Sequence, residues 1–173
     1  RHSSAASDVY KRQLTIFAYE KSTTGSVDVK PLIPTEAEVI DELVISDNSG
    51  ELRLNKTEGG WVIPALGGLA ANEIKLTTVL SDLLNLKSDW PVASATGSRS
   101  RFEVAEDKFN RRVDLLSSNA NVGRIYVGTS PGFKKSHVRL DGQKNIYSLA
   151  LNAYDFPTEP ADWLDKSLIS VQN

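Results

Sequence analysis

The run GTSPGFKKSHVRLDG, residues 128–142, combines Gly, Ser and Pro with two lysines and a histidine. These residue types suit a loop that binds phosphate, and they equally suit a tight corner between two strands. A phosphate-binding loop opens a helix, so that amide N–H groups and the helix dipole point at the anion. Here residues 136–140 alternate apolar with polar side chains as a strand does, and the order Gly-Lys-Ser/Thr is absent from the loop. The sequence therefore predicts a strand corner and no phosphate site.

This loop is also the surface that we expect to bind a partner, because its composition is so distinctive. The predicted binding residues are Thr129, Ser130, Lys134, Lys135, His137 and Asn152. His137 falls opposite Val138 and Leu140 in the alternation, so we expect its side chain to be exposed. The structural alternative is a simple corner that needs Pro131 and Gly132, where Gly132 would be essential to folding if its φ is positive.

The residue types needed for hydrolysis are present, but their spacing forms no known catalytic arrangement. The groups from which a triad would have to be built are His137, Asp155, Asp162 and Ser167. No Gly-x-Ser-x-Gly turn is present to expose a serine nucleophile. A hydrolase that uses carboxylates such as Asp155 and Asp162 would need them to face each other across a pocket. We predict no catalytic residues and keep the hydrolase as a remote alternative.

Metal and cofactor chemistry is not indicated by the sequence. The chain has no cysteine and only two histidines, His2 and His137, so a thiolate site is impossible. A zinc site would need carboxylates for most of its ligands, and neither His-x-x-His nor His-Glu-x-x-His is present. We therefore expect no metal and no cofactor.

The composition is that of a folded globular protein. The chain has 173 residues, of which 40% are hydrophobic and 24% are charged. Its net charge of −2 argues against a nucleic-acid partner, because such binding needs a concentrated basic face. The basic residues between positions 99 and 112 are interleaved with acidic ones, which is typical of a solvated surface.

Hydrophobic periodicity predicts the elements that would position the loop. Residues 43–54 alternate around the turn Asp-Asn-Ser-Gly, whose residues tolerate positive φ, and residues 61–63 form a third strand after Glu-Gly-Gly. Residues 70–89 carry a leucine stripe at helical spacing, with Asn72 as N-cap. A short helix over residues 98–104 and four more strands follow, in runs that begin at residues 111, 123, 136 and 145. The predicted class is α+β: a largely antiparallel sheet of six or seven strands with one main helix packed on it.

The predicted organisation along the chain has four parts. Residues 1–13 are expected to be a non-native read-through peptide of the kind found at the ends of translated metagenomic fragments. Residues 14–38 are expected to hold an anchor stub and a linker, although the apolar run 14–19 alone suits a first strand or a tail better. Residues 39–171 are the predicted single domain, and residues 172–173 a truncated C-terminal end.

Several short runs between residues 40 and 171 carry a family resemblance. They include residues 58–62, 101–104, 128–133, 151–157 and 163–168, of which 128–133 is the most specific. On these runs the chain resembles a bacterial family, the domain of unknown function 4340. The resemblance implies no established reaction, ligand or catalytic residue. It implies an N-terminal membrane anchor followed by extracytoplasmic domains, in proteins found near ABC transporter components of the gliding-motility type.

These expectations combine into one functional hypothesis with alternatives. We expect a non-enzymatic interaction or scaffold domain, held on the periplasmic face of the bacterial inner membrane by an anchor and working with protein partners of a transport or gliding-type system. Hairpin loops and sheet edges are surfaces that partners recognise. The alternative is a module that binds a saccharide or peptide through Trp61, Trp90, Tyr126, Tyr147 and Tyr154. That alternative requires several of these side chains to line one open cleft.

Overall fold

The computed structural model describes residues 29–167 of the chain. These residues form an antiparallel sheet of eight strands, a separate two-stranded hairpin and one long helix, so the α+β prediction is confirmed. The strands are β1 Glu42–Ser46, β2 Glu51–Thr57, β3 Gly60–Ile63, β4 Leu69–Ala70, β5 Val104–Ala105, β6 Lys108–Phe109, β7 Arg111–Ser117, β8 Ala120–Val127, β9 Ser136–Leu140 and β10 Ile146–Leu149. The helices are α1 Glu73–Leu84 and α2 Thr96–Arg101, with 3-10 turns at Ala37–Val39, Pro64–Leu66, Ala153–Asp155 and Pro160–Trp163.

The large sheet consists of two four-stranded meanders placed side by side. The strand order is β10-β9-β8-β7-β1-β2-β3-β4, so β1 of the first meander pairs with β7 of the second. Ile45 of β1 lies opposite Leu52 of β2 on one side and Val113 of β7 on the other. This register places apolar residues of all three strands on one face of the sheet.

The helix α1 covers that apolar face. Its buried stripe consists of Leu76, Val79, Leu80 and Leu83, which join the inward residues of the sheet in one core. Burial of each such side chain contributes roughly 1.5–3 kcal/mol, so this stripe is a large part of the stability. The predicted N-cap is confirmed, because Asn72 Oδ1 accepts a hydrogen bond from Lys75 N at 3.2 Å.

The opposite face of the sheet is covered in part by α2 and the β5–β6 hairpin. Val104, Tyr126 and Ile146 form a second apolar cluster there, with Phe102 half-buried against it. Arg139 of β9 is fully buried beneath this layer. Its Nε donates a hydrogen bond to Val104 O at 2.7 Å, and its Nη2 lies 3.0 Å from Glu106 Oε1. The layer over β8, β9 and β10 is therefore joined to the sheet by both apolar packing and a buried guanidinium.

The β1–β2 turn is where it was predicted, but a different interaction holds it. None of the residues from Asp47 to Gly50 has positive φ. Instead Asp47 Oδ1 accepts hydrogen bonds from Ser49 N, Ser49 Oγ and Gly50 N, at 2.7–2.9 Å. Its second oxygen accepts one from Thr158 Oγ1 at 2.8 Å. A single carboxylate thus closes the turn and ties it to a segment near the C-terminal end of the domain.

The packed structure begins before residue 39. Leu32 and Ile33 are buried in the main core, and Leu32 N donates a hydrogen bond to Leu86 O at 2.8 Å. The described part of the predicted linker therefore packs on the domain. The expectations for residues 1–28 and 168–173 lie outside the described residues. Among the residues that are described, no helix has the length and apolar character needed to cross a membrane.

Candidate functional site

The loop over residues 128–135 connects β8 to β9. Residues 136–140 form β9 and no helix follows the Pro-Gly pair, so the predicted strand corner is confirmed. Gly128 N donates to His137 O and His137 N donates to Thr129 O, both at 2.8 Å. These bonds extend the β8–β9 ladder into the base of the loop, which is therefore a continuation of the sheet.

The tip of the loop is braced by Ser130. Its Oγ lies 2.7 Å from the carbonyl oxygens of both Gly132 and Lys135. The left-handed residue of the loop is Lys134, with φ +55°, and Gly132 has no positive φ. Apart from Gly132 and its two chain neighbours, no described residue has a heavy atom within 4 Å of the position that a Cβ on Gly132 would take. The idea that Gly132 supplies a left-handed conformation is therefore wrong, because the chain reverses at Lys134.

The base of the loop rests against the end of α2. A Cβ on Gly128 would collide with Phe102 O and lie 2.7 Å from Glu103 O. Thr129 N donates a hydrogen bond to Phe102 O at 2.9 Å, and Glu103 has φ +57°. Only glycine fits at position 128 with this backbone approach. The loop is thus held both by the sheet beneath it and by α2 beside it.

His137 is buried, so the prediction of an exposed histidine is wrong. Its ring centroid lies 4.3 Å from that of Phe102, and its Nδ1 lies 2.8 Å from Thr129 Oγ1. Burial lowers the pKa of His137, and a hydrogen bond to the Thr129 backbone only partly opposes this. The face of β9 that carries His137 was expected to be exposed to solvent, but α2 and the residue after it, Phe102, cover it. Thr129 and His137 therefore support the loop from behind.

A cleft of about 520 Å³ lies between this loop and the segment that follows β10; we call it the loop cleft. Its lining residues are Asn110, Gly128, Ser130, Gly132, Phe133, Lys134, Lys135, Ser136, Asn152, Ala153 and Tyr154. Four of the six predicted binding residues are in this set: Ser130, Lys134, Lys135 and Asn152. The structure thus brings together residues separated by seventeen or more positions in the chain, such as Lys135 and Asn152.

Two exposed aromatic side chains line the loop cleft: Phe133, which no prediction named, and Tyr154, which was named only for the saccharide or peptide alternative. Phe133 is 88% exposed and Tyr154 is 86% exposed. Lys134 Nζ lies 5.2 Å from the centre of the Phe133 ring, within the range of a cation–π contact. The exposure of Phe133 could have been predicted from the sequence, because it lies between Gly132 and Lys134 at the tip of a loop, away from the hydrophobic core. The exposure of Tyr154 could likewise have been predicted, because it lies in a short turn that begins after the capping residue Asn152.

Asn152 has a structural role that also orients Tyr154. Its Oδ1 accepts a hydrogen bond from Tyr154 N at 3.0 Å and caps the 3-10 turn Ala153–Asp155. The cap fixes the backbone of Tyr154 while Ala153 is buried in the core. The tyrosine is therefore presented outward from a fixed position beside the loop.

Residues 61–173 match the family model described as Domain of unknown function (DUF4340). The chain belongs to the DUF4340 family. The match covers more than half of the chain and includes all the lining residues of the loop cleft. It begins in β3, so β1 and β2 precede it. No curated protein and no solved structure matches the chain.

The aromatic residues proposed for ligand binding do not form a platform in this DUF4340 domain. Trp61, Tyr126 and Tyr147 are buried in the two apolar clusters, whereas Trp90 and Tyr154 are exposed. A saccharide site would need several of these rings to face one open cleft. The arrangement therefore does not favour the alternative in which these five residues together bind a saccharide or peptide.

The acidic residues considered for hydrolysis lie near Lys75 in the DUF4340 domain. Burial lowers the pKa of Lys75, and the carboxylates of Asp162 and Asp155 oppose this. Lys75 Nζ donates a hydrogen bond to Asp162 O at 2.8 Å and lies 4.5 Å from the centre of the Trp163 ring. The cleft that Asp162 lines does not include Asp155. Within residues 29–167 no group of three acidic or histidine side chains could hold a metal ion.

Proposed function

We propose that this DUF4340 domain is a non-enzymatic protein-interaction module, and that the loop cleft is its recognition surface. The observation that carries the proposal is the pair of almost fully exposed aromatic side chains, Phe133 and Tyr154, at one concave surface. Exposed aromatic rings lose contact with water when a partner covers them, and such residues dominate the binding energy of protein interfaces.

The construction of the cleft supports recognition more than chemistry. Ser130 braces the tip, Gly128 allows the close approach of α2, and Asn152 fixes Tyr154. Binding to a surface that is already ordered costs little conformational entropy. His137 is buried and does not line the cleft, and its Nδ1 lies within hydrogen-bond distance of Thr129 Oγ1. These features suit a partner that docks without being transformed.

We propose further that the domain acts on the extracytoplasmic face of the bacterial inner membrane. In this proposal an N-terminal anchor holds it beside an ABC-type transport or gliding-type assembly, whose proteins are its partners. The support for this location and these partners is the family resemblance of the sequence. The cleft supplies the surface through which such a protein would be held.

Photo-crosslinking in cells tests the proposal. Benzoyl-phenylalanine is placed at position 133 of the full-length protein, and in a control at position 74, because Ile74 is 80% exposed on α1 and does not line the loop cleft. We expect position 133 to capture a defined protein, identified by mass spectrometry as a component of a transport system, and position 74 not to capture it. Equal capture at both positions, or none at 133, would contradict the docking role.

A further inference from the structure

The loop cleft differs in charge from the rest of the molecule. The chain has 22 acidic and 20 basic residues, but the eleven lining residues of the cleft include two lysines and no carboxylate. Within the described residues, neither Lys134 nor Lys135 is within ion-pair distance of an Asp or Glu side chain. Two exposed ammonium groups thus stand beside the cleft with no ion-pair partner among residues 29–167. Charge complementarity therefore favours an acidic partner.

The apolar part of the same surface favours a partner that also carries an aromatic or aliphatic side chain. Phe133 and Tyr154 both line the cleft and offer ring faces to the solvent. The contact between Lys134 Nζ and the Phe133 ring places a positive charge and an apolar surface within 5.2 Å of each other. A matching ligand carries a carboxylate close to an aromatic or aliphatic side chain, as an acidic peptide does.

The concave shape distinguishes a peptide from a lipid surface. Exposed aromatic and lysine side chains also suit the interface of an anionic membrane. A membrane-inserting tip is convex, however, and would leave a cleft of about 520 Å³ unfilled. Asn110 adds a side-chain amide to the lining of that cleft, and this group suits the amide groups of an extended backbone. The observations therefore favour a peptide over a bilayer.

We infer that the loop cleft binds an extended acidic segment of a partner protein. In this arrangement an aromatic or aliphatic side chain of the segment packs on Phe133 and Tyr154. The flanking Asp or Glu side chains of the segment pair with Lys134 and Lys135. This inference rests on the proposed function, because it specifies the chemistry of the partner that the same surface recognises.

Fluorescence anisotropy with three labelled peptides of equal length tests the inference on the purified chain. The first peptide carries Glu and Asp around a central Phe, the second replaces the acids by Lys, and the third replaces the Phe by Ala. We expect the first to bind most tightly and each of the others about tenfold more weakly, with affinity for the first falling as salt is added. Absence of binding to all three, or equal binding of the acidic and basic peptides, would overturn the inference.

Charge reversal provides the second arm of the test. The double variant Lys134→Glu/Lys135→Glu is expected to lose the acidic peptide and to prefer the basic one. The matched control is Lys108→Glu/Lys144→Glu, which changes the net charge equally at two exposed lysines that do not line the cleft. Its preference is expected to remain that of the parent chain. Circular dichroism establishes that both variants are folded, and an identical loss in both would contradict a local site.

Two further outcomes separate the possible failures. Sedimentation with phosphatidylglycerol vesicles in the absence of peptide binding would assign the surface to a membrane and overturn the inference. A photo-crosslink from position 133 to a protein segment without acidic residues would overturn the inference while leaving the proposed docking function intact. No crosslink at all would remove the proposed function itself.

Discussion

Gly128 lies directly against the backbone of Phe102, and the hydrogen bond from Thr129 N to Phe102 O (2.9 Å) joins the two segments. The loop of the candidate site is therefore fixed by a residue of another layer of the fold. A Cβ at position 128 would meet carbonyl oxygens of Phe102 and Glu103. Backbone atoms cannot move aside as a flexible side chain can, so this contact makes the loop sensitive to a single methyl group.

Gly128→Ala is expected to destabilise the domain by about 1–3 kcal/mol, because the added methyl overpacks the junction with α2. The measurement is the free energy of unfolding in urea. Gly132→Ala is the control: apart from its two chain neighbours, no described residue has a heavy atom within 4 Å of its Cβ position, so its effect should stay within about 1 kcal/mol. A larger loss at 132 than at 128 would refute the assignment of the tight contact.

Lys134→Gly is expected to leave the domain as stable or to stabilise it by up to about 1 kcal/mol, because Lys134 occupies the left-handed region with φ +55°. The same change should weaken binding of the acidic peptide, since it removes a charge from the cleft. Thermal unfolding and anisotropy measure the two effects separately. Lys135→Gly is the control, since Lys135 has no positive φ and its replacement relieves no strain. Clear destabilisation by Lys134→Gly would argue against strain at this position.

The stability of the parent chain is expected to fall as the pH drops below the ordinary pKa of histidine. Burial lowers the pKa of His137 in the folded state, so the unfolded chain takes up the proton first. The stability that neutral, buried His137 gives to the folded state is fully present above the unfolded pKa of about 6.5. It is lost as the pH falls through the lower pKa of the folded state. Urea unfolding at about pH 7.5 and 5.5 measures this, and His137→Gln should reduce the difference. If the difference in unfolding free energy between the two pH values is unchanged in His137→Gln, other titrating groups cause the pH dependence.

A second acid transition is expected from Asp47. Burial raises the pKa of this carboxyl, but hydrogen bonds from Ser49, Thr158 and the amides of Ser49 and Gly50 outweigh burial and lower the pKa to about 2. The stabilisation is present above the unfolded pKa of about 3.9 and is lost as the pH falls towards 2. Asp47→Asn should therefore cost stability at neutral pH and flatten the pH dependence between about pH 4 and 2 in denaturant titrations. A parallel pH profile in the variant would speak against this assignment.

Asn152→Ala is expected to weaken peptide binding, because it removes the cap that fixes the backbone of Tyr154. Loss of such a cap costs roughly 0.5–2 kcal/mol of local stability. Asn152→Ser keeps a capping oxygen and should restore most of the binding measured by anisotropy. Equal binding by both variants and the parent chain would limit Asn152 to a structural role.

Much of the fold follows from local patterns. The alternation that begins at Leu43 and again at Val113 predicts strands, because a period of two gives one buried face. The three strands of two residues each, β4, β5 and β6, are too short to produce such a pattern. The burial of His137 could not be predicted from its own strand, because it depends on α2, which is distant in sequence and packs over β9 through Phe102.

The part of the candidate site that lies in one continuous loop could be predicted from the sequence, whereas the part that depends on long-range pairing could not. Ser130, Lys134 and Lys135 belong to one loop whose composition is visible in the sequence. Their meeting with Tyr154 depends on the pairing of β9 with β10, which brings the segment after Leu149 beside the start of β9 at Ser136. The sequence also places the turn at Asp47 correctly, but the bond to Thr158 is a long-range contact that no local pattern contains.

The position of β1 sets a lower limit on how small this domain can be made. The stretch recognised as DUF4340 starts at residue 61, yet β1 is inserted between β7 and β2 in the middle of the sheet. Truncation at that boundary would strip β7 of a neighbour and expose a row of unsatisfied backbone N–H and C=O groups. In a shortened chain of this kind β7 would become an exposed edge strand that can pair with a strand of another molecule, so aggregation is expected of any fragment that omits residues 42–57.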